Sequence, residues 1–173
     1  MQHAQSYMNI QKIRYKNAFS ITFDIDESLY CYCTVKLILQ PILENAINYG
    51  VDSMDDCGEI RVVGRKEGEV IVLSVSDNGM GMSKEEVSLI LTDSTNIHKH
   101  GSGVGLVNVN NRIQLLFGKE YGLCVESEPD EGTTVSIRIP AVPYTEENRK
   151  ILEKGHLFNK DVIMDKEVQG KEQ

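Results

Sequence analysis

A short apolar run that stops on an acid and two glycines constrains this chain more than any other stretch. In Val70-Ile71-Val72-Leu73-Ser74-Val75 both faces of an extended chain are largely apolar. The strand they form should therefore lie centrally in a sheet and be covered by helices. It runs out at Ser76-Asp77-Asn78-Gly79-Met80-Gly81-Met82. Asp77 stands at a strand end, where a carboxylate is placed to accept a hydrogen bond. Gly79 and Gly81 let the backbone take φ > 0 and approach a ligand closely. Taken alone, Asp77-Asn78-Gly79 reads equally well as a hairpin turn.

A second glycine box, Gly101-Ser102-Gly103-Val104-Gly105-Leu106, precedes an amphipathic run. Its amides would sit at a helix N-terminus, where free N–H groups and partial positive charge bind phosphate. A flexible linker is the alternative. The box is not a P-loop, because no Gly-Lys-Ser/Thr is present, and its GxGxG spacing is not the dinucleotide fingerprint. Residues 92–100, which precede it, are polar and carry His98 and His100; they read as a solvated loop, not a strand.

The remaining elements follow from periodicity. Residues 1–14 read as a helix, with Tyr7, Ile10, Ile13 and Arg14 on a helical period. Phe19, Ile21, Phe23 and Ile25 alternate with polar residues as a strand with one buried face, which Asp26-Glu27-Ser28 breaks. Residues 35–49 are helical, with Leu39, Ile42, Leu43, Ala46 and Gly50 on one stripe, and Pro41 places the regular start near Gln40. Glu44, Asn45 and Asn48 fall on the opposite side. That side is either a solvated face or, since it holds two amides and an acid without a cation, a set of hard oxygen ligands.

Residues 58–66 and 69–76 are strands joined at Glu67-Gly68, and Ser83 with Glu86 forms a capping box that opens a short helix to Leu91. Leu106, Val109, Ile113, Leu116 and Phe117 make a second helical stripe that ends at Gly118. The last strands, 123–128 and 133–139, are hinged at Pro129-Asp130-Glu131-Gly132. A single sheet with helices on one face is the economical α/β arrangement.

Size and charge narrow the function. At 173 residues the chain holds one domain with extensions. Lys and Arg number 18 against 26 Asp and Glu, a net charge of −8 without a basic run, which argues against a nucleic-acid partner. Four cysteines without a C-x-x-C read as reduced thiols in a cytosolic setting. No apolar run approaches the ~20 residues that span a bilayer, and no membrane contact is expected. After Pro143 the tail is charged: residues 146–154 allow a helix, and 159–173 read as disordered.

Several motifs in order, over residues 6–140, carry a resemblance. Leu39-Gln40-Pro41-Ile42-Leu43-Glu44-Asn45-Ala46-Ile47, Asp77-Asn78-Gly79-Met80-Gly81-Met82, the run from Gly101 through Leu106 to Asn110-Asn111-Arg112, and Glu131-Gly132-Thr133 resemble the N, G1 and G2 boxes and closing strand of a histidine-kinase catalytic domain. The pattern is most similar to LytS/YesM-type bacterial sensor kinases of the GHKL ATPase superfamily. The resemblance implies a two-layer α/β sandwich, the Bergerat ATP-binding fold, with a mixed, mostly antiparallel sheet. It divides the chain into the tail of an upstream dimerisation helix (1–14), an ATP-binding catalytic domain (15–142) and a C-terminal tail (143–173).

ATP and Mg²⁺ are the implied cofactors. Glu44 and Asn45 would be the catalytic pair, Asn45 giving its amide oxygen to Mg²⁺ and Glu44 orienting or deprotonating near the γ-phosphate. Asp77 would accept the adenine amino group, Gly79, Gly81 and Met82 would pass the base, and Thr133 would support its pocket. Asn48 and Tyr49 would lie near the phosphates. Gly101, Ser102, Gly103, Val104, Gly105 and Leu106 would form a lid ending in a helix that starts near Leu106.

Two departures stand out. Related chains often have His-Gly where this one has Tyr49-Gly50, so a basic residue is missing there. The phosphoacceptor Pro-His-Phe is also absent, and His3, in Gln2-His3-Ala4, does not fit it. The acceptor histidine, its dimerisation domain and the response regulator are therefore expected outside this chain, as partners of a homodimeric, membrane-anchored kinase with this part in the cytoplasm. A GHKL-type ATP hydrolase, a serine kinase of the same superfamily and a non-catalytic nucleotide-binding module are the competing readings.

Overall fold

The computed structural model describes residues 1–16, 18–51, 58–91 and 103–154. Five strands, β1 (Phe19–Ile25), β2 (Gly58–Glu67), β3 (Val70–Asp77), β4 (Gly122–Glu128) and β5 (Gly132–Pro140), form one sheet in the order β1-β2-β3-β5-β4. Only β1 and β2 pair in parallel; the other three pairs are antiparallel. β3 is central, as its apolar run demands. Its inward residues Ile71, Leu73 and Val75 are buried, whereas Val70 and Val72 on the other face are half-buried. Helices therefore cover one face of β3 and not both.

Five α-helices, α1 (Gln2–Arg14), α2 (Gln40–Asn45), α3 (Lys84–Ile90), α4 (Gly103–Phe117) and α5 (Glu146–Lys154), complete the described chain. Pro41 sits in the first turn of α2, where its missing N–H costs nothing, and this fixes the helix start at Gln40. The expected continuous α-helix to residue 49 is corrected. After Asn45 the chain passes into a π-helical segment, Ala46–Val51, whose wider turn ends the 100° wheel at that point. Ala46 and Ile47 still reach the core, while Asn48 and Tyr49 are exposed.

The inward stripe of α4 is as expected, with Leu106, Val109, Ile113, Leu116 and Phe117 all buried. In α3 the capping box is complete: the Glu86 N–H donates to Ser83 Oγ at 3.3 Å and the Ser83 N–H donates to Glu86 Oε2 at 2.9 Å.

The helical period expected of α1 is present, and its core-facing side is set by residues outside the Tyr7, Ile10, Ile13 and Arg14 set. Ala4 and Met8, one turn apart, are buried, Met8 completely. Ile10 and Ile13 point to solvent at 65% and 79% exposure. The small Ala4 lets the helix approach the core and Met8 fills the space beneath, and Ile10 lies about 200° around the helix from Met8. Beyond β5 the chain folds back: the Cys33 N–H donates to Val142 O and the Tyr144 N–H to Cys31 O, both at 2.7 Å, and Lys36 pairs with Glu153 of α5 at 3.0 Å. Cys31, Cys33 and Cys124 are free thiols; Cys57 and the tail from residue 155 lie outside the described residues.

The docking of α1 is testable by urea unfolding. Met8→Ala should cost about 2–4 kcal/mol, whereas Ile13→Ala should stay within ~0.5 kcal/mol of the wild type.

Candidate functional site

Three polar residues end the inward face of the sheet. In register, Asp77 of β3 stands opposite Thr133 of β5, and Thr133 opposite Ser127 of β4. Two residues deeper, Val75, Val135 and Val125 occupy the same row positions. Side chains on a strand alternate faces, so the polar row tops the apolar one on the helix-covered side. The Asp77 carboxylate accepts the Gly79 N–H at 3.0 Å. Burial pushes its pKa above the usual aspartate value, while the Gly79 and Thr133 N–H groups pull against that rise.

The loop after β3 is not a hairpin turn, because the chain leaves it into α3. Main-chain contacts hold it against the β4–β5 turn. Gly81 takes φ +64, and a Cβ there would overlap the Glu128 carbonyl oxygen. A Cβ on Gly132 would overlap the Asp77 carbonyl. Gly79, expected to share this role, does not take positive φ. The Asp130 N–H donates to Met80 O at 2.7 Å, and the Met82 N–H donates to Ser127 Oγ at 2.8 Å. On the other side Asn78 Oδ1 accepts the Glu59 N–H at 2.7 Å.

The helical wall carries the second group of residues. Glu44 and Asn45 are half-buried near the end of α2. Gln40, one turn earlier, donates from Nε2 to Glu44 Oε1 at 2.9 Å. From α1, Tyr7 faces the same carboxylate: burial, and then the Glu44 charge, push the phenol up to about 12. The Tyr15 hydroxyl donates to Asn48 Oδ1 at 3.5 Å.

The first turn of α4 packs on the first turn of α2, where a Cβ on Gly105 would lie 3.3 Å from Pro41 Cβ. The expected helix start at Leu106 is therefore corrected. Gly103, Val104 and Gly105 already belong to α4, where Gly105 lets the helix pack closely on Pro41 and that packing outweighs its poor helix propensity. Leu106 is 1% exposed, so its side chain belongs to the core and only its backbone could meet a ligand. Gly101, Ser102, His98 and His100 lie outside the described residues.

Gln40, Tyr7 and Ser127 belong to the site although sequence reasoning did not single them out. Gln40 stood at i,i+4 from Glu44, and Ser127 shares the strand parity of Leu123 and Val125, so both carried a legible signal. Tyr7 carried none beyond its helical period. Together the residues offer an acceptor at a strand end, a carboxylate beside an amide on α2, and the N-terminal turn of α4, all on one side of the sheet.

The profile of the family described as "Histidine kinase-, DNA gyrase B-, and HSP90-like ATPase" matches residues 34–143. Over 134 residues the chain is 37% identical to the sensor histidine kinase YesM of Bacillus subtilis, covering 78% of this chain and 22% of that protein. Over 141 residues it is 36% identical to the sensor protein LytS of Staphylococcus saprophyticus, covering 81% and 23%. The chain thus spans less than a quarter of the length of these relatives. Among solved structures, the catalytic domain of histidine kinase ThkA aligns with a TM-score of 0.57 at 17% identity, covering 81% of this chain and 90% of that one. The histidine kinase domain of a blue-light activated kinase from Erythrobacter litoralis gives 0.53 at 16% identity, covering 84% and 59%. At such identities the likeness is one of fold.

Two measurements check the geometry. Gly81→Ala forces backbone against backbone and should cost at least about 2 kcal/mol in urea unfolding, whereas Gly68→Ala, with open space around it, should cost about 1 kcal/mol. In a carboxyl NMR titration Asp77 should titrate above 3.8 and Asp24, bonded to Arg65 and Arg61, below it. The signs are opposite. Protonation of Asp77 favours the folded chain as pH falls through its raised pKa. Asp24 contributes stability above the unfolded pKa and loses it as pH falls through its lowered one.

Proposed function

This chain belongs to the histidine kinase-, DNA gyrase B- and HSP90-like ATPase family, and from that premise we propose that it is the ATP-binding catalytic unit of a sensor histidine kinase. It moves the γ-phosphoryl group of ATP to a histidine carried outside this unit, for onward transfer to the aspartate of a response regulator. The observation that carries the reading is Asp77, a carboxylate held by the Gly79 N–H at the end of the central strand, beside a loop that two glycines fix in place.

In this reading Asp77 accepts a hydrogen bond from the adenine amino group and Thr133 supports the same pocket. Gly79, Gly81 and Met82 carry the chain past the base. The N-terminal turn of α4 gives its free N–H groups to the phosphates. Asn48 and Tyr49 line the rim. Glu44, steadied by Gln40, orients the incoming imidazole or takes its proton.

Asn45 would hold Mg²⁺ through its amide oxygen, with water and phosphate oxygens filling the remaining positions. Among the described residues no cluster of three or more His, Cys, Asp or Glu could hold a metal alone, which fits a cation that arrives with the nucleotide. When bound, that cation neutralises charge on the triphosphate. The relatives' names support the transfer to histidine. The dimerising and acceptor-bearing helices, which α1 would join, belong to the same proposal.

Calorimetric titration with a non-hydrolysable ATP analogue and Mg²⁺ tests the site. Asp77→Asn should weaken binding by about 5- to 150-fold, the worth of roughly 1–3 kcal/mol for a buried acceptor. A folded wild-type chain that binds no nucleotide would overturn the reading.

A further inference from the structure

Ser127 makes three hydrogen bonds with a single hydroxyl. Its proton goes to the Gly132 carbonyl at 2.7 Å, and one lone pair takes the Met82 N–H at 2.8 Å. Thr133 Oγ1 lies 2.9 Å away. With the Ser127 proton already committed, that third contact can form only if Thr133 donates. The Thr133 proton is then spent, and lone pairs are all that its oxygen has left to offer.

The same is true of its neighbours. The Gly79 N–H is bound to Asp77 and the Met82 N–H to Ser127, so neither is left for a ligand. The Asp77 carboxylate beside Thr133 has only lone pairs while ionised. The row Asp77-Thr133 therefore presents two adjacent acceptors and no side-chain donor.

We infer that Ser127 is a positioning residue that locks Thr133 as an acceptor beside Asp77, so that the pocket selects a purine with a 6-amino group over one with a 6-oxo group. An exocyclic amino group brings protons to these acceptors, whereas a carbonyl oxygen brings only lone pairs and leaves buried acceptors facing it unpaired. The inference rests on the reading that Asp77 meets the base, and it adds the group that sets the sense of the recognition.

The test is a titration of the full 173-residue chain with ATP and with inosine triphosphate, its 6-oxo counterpart, both without Mg²⁺. The wild type should bind ATP more tightly. In Ser127→Ala the Thr133 hydroxyl is free to turn and donate, and the ratio of the two affinities should fall about tenfold. Thr133→Val should lower the ratio too while keeping both of Ser127's main-chain bonds, and it decides the matter if Ser127→Ala does not fold. Ser74→Ala, which removes the Ser74–Ser136 hydroxyl pair (2.8 Å) from the opposite face of the same sheet, should leave the ratio unchanged.

Equal wild-type binding of the two nucleotides, or a ratio unmoved in the folded variants, overturns the inference. If Asp77→Asn weakens ATP while these variants leave the ratio alone, the adenine site stands and the role of Ser127 falls. If the folded wild type binds neither nucleotide, both readings fall together.

Discussion

The site depends on one close approach of main chain to main chain, where the loop after β3 lies on the turn between β4 and β5. Gly81 and Gly132 are the two points of contact, and at each a Cβ would meet a carbonyl oxygen. Because backbone rather than side chains sets the spacing, the loop has few alternative positions open to it. The hydrogen bond from the Asp130 N–H to Met80 O and the one from the Met82 N–H to Ser127 Oγ close the same gap. Asp77 inherits its orientation from that arrangement, since Gly79, which binds its carboxylate, belongs to the clamped loop.

A second constraint is electrostatic. The chain carries a net charge of −8, and the acids Glu44, Asp77, Glu128, Asp130 and Glu131 stand in or beside the site. The field of the whole molecule therefore opposes a polyanion. In the proposed reading, attraction for phosphate is therefore local, from main-chain N–H groups at the start of α4 and from a cation that comes with the ligand. The absence of a histidine at Tyr49 leaves that local supply without a side-chain contribution at the position.

Much of the fold was legible because it rests on period and steric exclusion. Alternation in residues 19–25, the stripe of α4, the Ser83–Glu86 box and the effect of Pro41 each depend on a few neighbouring residues. That Asp77 and Thr133 stand together was legible through the ordered motifs. What stayed hidden depends on tertiary packing. Nothing in Ala46-Ile47-Asn48-Tyr49 announces a π-helical turn, since its apolar residues are buried in either geometry. The inward face of α1 was decided by Ala4, whose smallness matters only once a partner surface exists. The start of α4 was masked by glycines that read as a loop, although Gly105 lies beside Pro41. The direction of the Ser127 and Thr133 protons follows from counting donors, which needs distances.

The strand order also governs how the chain reaches its native state. β2 with β3, and β4 with β5, are local antiparallel hairpins that can close early. Joining β3 to β5 requires a much longer loop to close, and adding β1 in parallel requires the whole excursion through α2 to be laid across the sheet. Asp77 and Thr133 meet only at the long β3–β5 closure, and Glu44 and Asn45 ride on the β1–β2 crossover. The site is thus assembled by the least local strand pairings of the sheet. Substitutions that weaken those two closures would slow the appearance of binding competence in refolding more than the appearance of sheet.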